Sequence, residues 1–268
     1  MNLRRFPLLM IATAALVIPV ACSSSDSSSD TSSSAETSSA ASDVTGELTV
    51  FAAASLRSTF EEIGQDFTEQ YPDATVRFSF GGSSDLVAQL TSGAPGDVFA
   101  SADENNMTKA VDAGLIEGTP VDFASNTLTI VTPPGNPGNV QSFADLANPD
   151  VSVVICAPPV PCGAATNRIE ESTGVDITPV SEESSVTDVL GKITSGQADA
   201  GLVYVTDATG AGDAVDVVSF PESSEAVNVY PIGTLADSSN QAAAQAFVDL
   251  VTGSVGQDVL AEAGFAQP

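Results

Sequence analysis

From Glu47 onward the chain repeats one pattern: a short apolar run, a junction of small or hydroxyl residues, then a helical stretch. Glu47 to Ala54 (ELTVFAAA) reads as a buried strand. Leu56, Phe60, Ile63 and Phe67 follow at spacings that put them on one helix face, with Ser55 placed to cap that helix. Tyr71-Pro72 ends it, and Ala74 to Phe80 reads as a second strand. Gly81-Gly82-Ser83-Ser84 then leads into a helix with Leu86, Val87 and Leu90 inward. Asp97 to Ala100 is a third strand, and Asp103 opens another helix. The later half reads the same way. Strands are predicted at Thr127–Val131, Val151–Cys156, Ala200–Val205, Val215–Phe220 and Val227–Ile232. Helices are predicted at Cys162–Glu171, after Ser185, at Gln241–Val251 and at Val255–Ala263. Such alternation specifies an α/β architecture with largely parallel sheets.

The strand-to-helix junctions carry the chemistry. Four of them, Ala54-Ser55, Gly82-Ser83-Ser84, Pro161-Cys162-Gly163 and Ser184-Ser185-Val186, contain no charge. Any one serine there is adequately explained as a helix cap. Ligands of open α/β sheets bind at the carboxyl ends of strands. Helix starts there offer unpaired N–H groups and partial positive charge. Several converging ends make an anion site without Lys or Arg.

That matters because cations are scarce. Against 35 Asp+Glu there are 7 Lys+Arg and no His, for a net charge of −28. A nucleic-acid face needs clustered cations, which this chain lacks. Without His there is no Ser-His-Asp triad, Cys-His pair or His-ligated zinc. A secreted hydrolase is therefore unsupported, also lacking G-x-S-x-G. No catalytic residue, cofactor or direct metal ligand is expected.

The N-terminus reads as an export signal. Arg4 and Arg5 precede the uncharged apolar run Phe6–Val20, and Ala21-Cys22 follows. A Cys after a small residue resembles the lipobox of bacterial lipoproteins, in which Cys22 would be the lipidated N-terminus. Pro19 departs from that pattern, and ordinary cleavage is the alternative. Residues 23–45 are Ser/Thr-rich with almost nothing to bury, a flexible tether. In an exported chain, Cys156 and Cys162 are expected to pair as a disulfide. The alternative, a metal or redox pair, has no further ligand nearby and lacks C-x-x-C spacing.

Several segments, in order, resemble the molybdate-binding proteins of bacterial ABC transporters. They are Val50-Phe51-Ala52-Ala53-Ala54-Ser55-Leu56, Phe80-Gly81-Gly82-Ser83-Ser84, and Gly93 to Asp103 (GAPGDVFASAD). Val160-Pro161-Cys162-Gly163, Gly201 to Ala208 (GLVYVTDA) and Ala263-Gly264-Phe265 complete the set. The resemblance implies a two-lobe type II periplasmic-binding-protein fold. Each lobe would be a mixed or mostly parallel sheet flanked by helices, with the ligand in the cleft. Lobe 1 is expected from 46–124 and 230–268, and lobe 2 from 125–229.

It also implies a ligand set. Ser55 and Ser83 would donate from hydroxyl and backbone, with Ser84 the alternative to Ser83. Cys162, where family members often have Ala, and Val186 would donate backbone N–H groups. Glu182-Glu183-Ser184-Ser185, just before Val186, departs from the family's usual sequence. Tyr204 would donate from its phenol. The expected ligand is molybdate or tungstate, passed to a membrane permease by a monomer held at the outer face of the cytoplasmic membrane. The same fold could instead serve sulfate, thiosulfate, iron or an organic acid. An adhesion or structural lipoprotein is the reading from another class.

Overall fold

Runs such as Val50-Phe51-Ala52-Ala53 have no polar alternation, so the strands they form must be covered on both faces. A computed structural model describes residues 44–268. The apolar leader, Cys22 and the tether up to residue 43 lie outside the described residues.

The described residues begin with β1 (Gly46–Ala53), α1 (Arg57–Gln70), β2 (Ala74–Gly81), α2 (Ser83–Thr91), β3 (Val98–Ala100), α3 (Glu104–Asp112) and β4 (Val121–Asn126). Next come β5 (Leu128–Thr132), β6 (Val153–Cys156), α4 (Pro161–Thr173), β7 (Ser181–Glu183), α5 (Val186–Thr194), β8 (Ala200–Tyr204), α6 (Val205–Ala211) and β9 (Asp216–Val218). Last come β10 (Asn228–Thr234), α7 (Gln241–Thr252) and α8 (Ser254–Glu262).

The strands form two five-stranded sheets, one ordered β2-β1-β3-β10-β4 and the other β7-β6-β8-β5-β9. Each is mixed. β1 runs parallel to β2 and β3, whereas β10 is antiparallel to β3 and β4. β6 runs parallel to β7 and β8, whereas β5 is antiparallel to β8 and β9. The chain leaves the first sheet between Asn126 and Leu128 and returns at Asn228, which pairs in register with Asn126. Two strands side by side thus join the lobes.

The inward face of α1 is the predicted one. Phe60, Ile63 and Phe67 are fully buried, and Phe60 and Phe67 meet Phe247 of α7 edge-on at 5.8 and 5.6 Å. Truncating either ring would cost about 3–5 kcal/mol. A smaller cluster, with Phe51, Leu86, Leu90, Phe99 and Met107, covers the other side of the first sheet.

Three expectations need correction. Ser55 does not cap α1; it sits inside a 3-10 turn over Ala54–Leu56, and no side chain caps that turn. The strand expected at Val215–Phe220 shrinks to the three residues of β9. β4 and β7 are strands without a sequence signal, because VDFASN has an exposed start with Asp122 and SEE has nothing apolar to mark it.

Candidate functional site

Each uncharged junction lies at the carboxyl end of a strand, and four of them face one another. β1 ends at Ala53 and turns tightly, leaving Ser55 only 8% exposed with its Oγ 3.1 Å from the Tyr230 hydroxyl. After β2, Gly82 is extended and α2 starts at Ser83, which is 1% exposed. Ser83 Oγ accepts from the Ala102 N–H at 3.0 Å, which leaves its own proton to donate. Ser84 is half-buried on the first turn and does not line the cavity described below.

β6 ends at Cys156, and α4 begins with Pro161, suited to a position whose N–H would be unpaired. The first bond into α4 runs from Ala164 N to Val160 O at 2.9 Å, so the N–H groups of Cys162 and Gly163 precede it. Cys156 and Cys162 are joined by a disulfide, with Cα atoms 5.6 Å apart. A side chain at residue 163 would collide with the Ala157 carbonyl, so Gly163 allows this loop to close. At α5, Ser185 caps the helix by accepting from Asp188 N at 3.2 Å, leaving the Val186 N–H outside the helical ladder.

Ser55, Ser83, Cys162, Val186 and Tyr204 all line one cavity, together with glycines, alanines, Val160 and Pro161. Both sheets contribute to it. It is small, enclosing at most about 190 Å³ including the space open to solvent. No charged side chain is in its wall. It suits a small ion surrounded by hydrogen-bond donors.

The phenols stay neutral. Burial pushes the Tyr204 hydroxyl well above the usual tyrosine range, with Tyr230, Asp103 and Asp207 adding to the rise. Tyr230 moves the same way for the same first cause, partly offset by its bond to Ser55. Burial also raises Asp207, at the start of α6, to about 7, against the lowering effect of the Tyr204 N–H it accepts.

Three residues around the cavity escaped sequence reasoning. Tyr230 supports Ser55. Asn228, 2% exposed, donates to the Tyr204 hydroxyl at 2.7 Å and to Ala102 O at 2.8 Å. Arg168 of α4 donates to Asn228 Oδ1 at 2.8 Å. The only signal for them was an isolated cation in a helix and a lone amide opening an apolar strand.

A family model described as bacterial extracellular solute-binding protein matches residues 48–266. The chain belongs to that family. This solute-binding protein is 52% identical over 221 residues to molybdate-binding protein ModA of Mycobacterium tuberculosis (strain ATCC 25618 / H37Rv), covering 82% of this chain and 85% of that one. It is thus a homologue of a molybdate-binding protein, as its segments suggested. Its fold matches the Azotobacter vinelandii periplasmic molybdate-binding protein, with a TM-score of 0.71 and 24% identity over 82% of this chain and 99% of that one. It also matches the sulfate-binding protein SubI from Mycobacterium tuberculosis H37Rv, with a TM-score of 0.73 and 21% identity over 83% and 87% of the two chains. These likenesses show the two-lobe periplasmic-binding-protein fold. Among the described residues, no helix is long and apolar enough to cross a membrane.

Proposed function

We propose that this solute-binding protein captures molybdate, and tungstate with it, between its lobes and delivers it to an ABC permease. One observation carries the reading: donors from both sheets converge on a small cavity with no charged wall, in a chain 52% identical to a molybdate-binding protein. Ser55 and Ser83 donate from hydroxyl and main chain, Cys162 and Val186 from main chain, and Tyr204 from its phenol. The ion is held as an intact oxyanion, so no protein atom ligates the metal and no bond is made or broken. Molybdate is fully deprotonated near neutral pH, so an all-donor site suits it. Hydrogen phosphate needs an acceptor for its proton, and a site that leaves a buried polar group unmatched can discriminate by several orders of magnitude.

In this proposal, 46–124 with 230–268 closes as one body on 125–229, and the closed form is what the permease recognises. Cys22 carries the lipid, and the Ser/Thr tract holds a monomer at the outer face of the cytoplasmic membrane.

Thermal unfolding with and without molybdate tests the reading. At a hundred times the dissociation constant, the ligand should stabilise the native state by about 2.7 kcal/mol. Calorimetry against molybdate, tungstate, sulfate, thiosulfate and phosphate then sets the order. A strong sulfate response with none to molybdate would favour the second reading, a sulfate-binding protein, which shares this fold in SubI. No response to any oxyanion would leave Ser55 and Ser83 with only their bonds to Tyr230 and Ala102, and the proposal rejected.

A further inference from the structure

The Asn228 side chain can be oriented from chemistry alone. On one side is the Arg168 guanidinium, 2.8 Å from Oδ1, which can only donate. On the other are the carbonyl oxygens of Ala102, at 2.8 Å, and Pro161, at 3.3 Å, which can only accept. The amide therefore has its oxygen toward Arg168 and its NH2 toward the cavity side. Flipping it would set donor against donor and acceptor against acceptor, in a residue 2% exposed.

The third neighbour of that NH2 is the Tyr204 hydroxyl, at 2.7 Å. A phenol can donate or accept, and the Asn228 N–H tilts that choice toward donation. With its oxygen already receiving one hydrogen bond from Asn228, Tyr204 is biased toward offering its proton, and Tyr204 lines the cavity. Burial keeps that proton on.

We propose that Arg168 and Asn228 form a polarity lock that holds Tyr204 as a donor to the bound oxyanion, so that tetrahedral anions carrying a proton are disfavoured. The lock rests on the oxyanion reading above and deepens it. Arg168 and Asn228 are positioning residues: neither lines the cavity, and both act through Tyr204. The arrangement also explains how a half-buried cation serves an uncharged site. The guanidinium polarises an amide, the amide polarises a phenol, and only the phenol meets the ligand. Arg168 lies on α4, the helix whose first turn supplies the Cys162 N–H, so one rigid element sets two donors.

A double-mutant cycle tests this. Asn228→Leu keeps the size of the side chain and removes the donor. With Tyr204 intact it should weaken molybdate binding by about 10- to 150-fold, the worth of one hydrogen bond to a charged group. In a Tyr204→Phe background it should change affinity by no more than about twofold, the error of additive effects. Asn228→Leu should also narrow the gap between molybdate and phosphate. Equal losses in the two backgrounds, or none in either, would overturn the proposal.

If Asn228→Leu does not fold, Arg168→Gln gives the second measurement, made on 15N-labelled protein without any oxyanion. The Asn228 side-chain amide protons should exchange slowly in the wild type and clearly faster in Arg168→Gln; equal rates would overturn the lock. Absence of oxyanion binding by the wild type would reject the proposed function instead, while the exchange measurement would still decide whether the amide is held.

Discussion

Gly82 of one lobe packs against the Ser184 carbonyl of the other so closely that a side chain at residue 82 would overlap it. The backbone there is ordinary, with φ −62° and ψ 136°, which alanine adopts without strain. Glycine is needed for the approach of the lobes rather than for the turn. Gly82→Ala should therefore fold normally and melt, without ligand, at or above the wild-type temperature. It should bind molybdate at least tenfold more weakly and lose the compaction that small-angle scattering would register on closure. Unchanged affinity would mean that this contact is not part of the ligand-bound state.

Ser83 does two things, and its removal should show both. Its Oγ accepts from the buried Ala102 N–H, and its proton is left for the ligand. Ser83→Ala orphans a buried donor, at a cost of about 1–3 kcal/mol in denaturant-measured stability. It should also weaken molybdate binding. Ser84→Ala, one residue on, should do neither. If the two variants exchange behaviours, Ser84 is the second-loop donor.

The α/β pattern and the four converging junctions could be read from the chain because strands buried on both faces and helices with one apolar face leave distinct periodicities. Phe60, Ile63 and Phe67 are the clear case. What could not be read depended on partners distant in sequence. Ser55 has the composition of a helix cap, and only the arrival of Tyr230, 175 residues later, gives it another partner. Asn228 and Arg168 carry no motif; their meaning lies in a contact across 60 positions. β7, a polar edge strand of three residues, is held by its pairing with β6 and by nothing in its own composition.

The disulfide should matter more for binding than for folding. It closes a loop of sequence separation 6, for which the chain-entropy model gives about 2 kcal/mol. Yet Cys162 lines the cavity, and Pro159 O and Pro161 O within the loop accept from Asn106 and Asn228. Reduction followed by alkylation should lower the melting temperature by a few degrees and weaken molybdate binding by an order of magnitude or more. Two free thiols in the native exported protein, counted by mass, would remove the idea.

Asp207 predicts a pH dependence of definite sign. Burial raises its carboxyl from 3.8 to about 7. Between those values the native state holds a proton that the unfolded chain has lost. This group's contribution to stability is thus fully present below pH 4 and falls as pH rises through 7. Asp207→Asn keeps an acceptor for the Tyr204 N–H and removes the titration. Its melting temperature should exceed that of the wild type at pH 8, with a shallower decline between pH 4 and 7. Parallel curves for the two proteins would show that Asp207 titrates normally.

A net charge of −28 looks hostile to an anion, but distance and screening limit it. At physiological ionic strength the field of a surface carboxylate fades over about 8 Å, whereas the cavity donors act in direct contact. Affinity is thus set locally, and the acidic surface governs the approach. The association rate of molybdate, followed by stopped-flow tyrosine fluorescence, should rise with added sodium chloride and then level off. A rate that falls with salt would require cationic guidance, for which Arg57, beside Ser55 and stacked on Phe80 at 4.5 Å, is the residue to replace. Arg57→Gln would then reverse the slope.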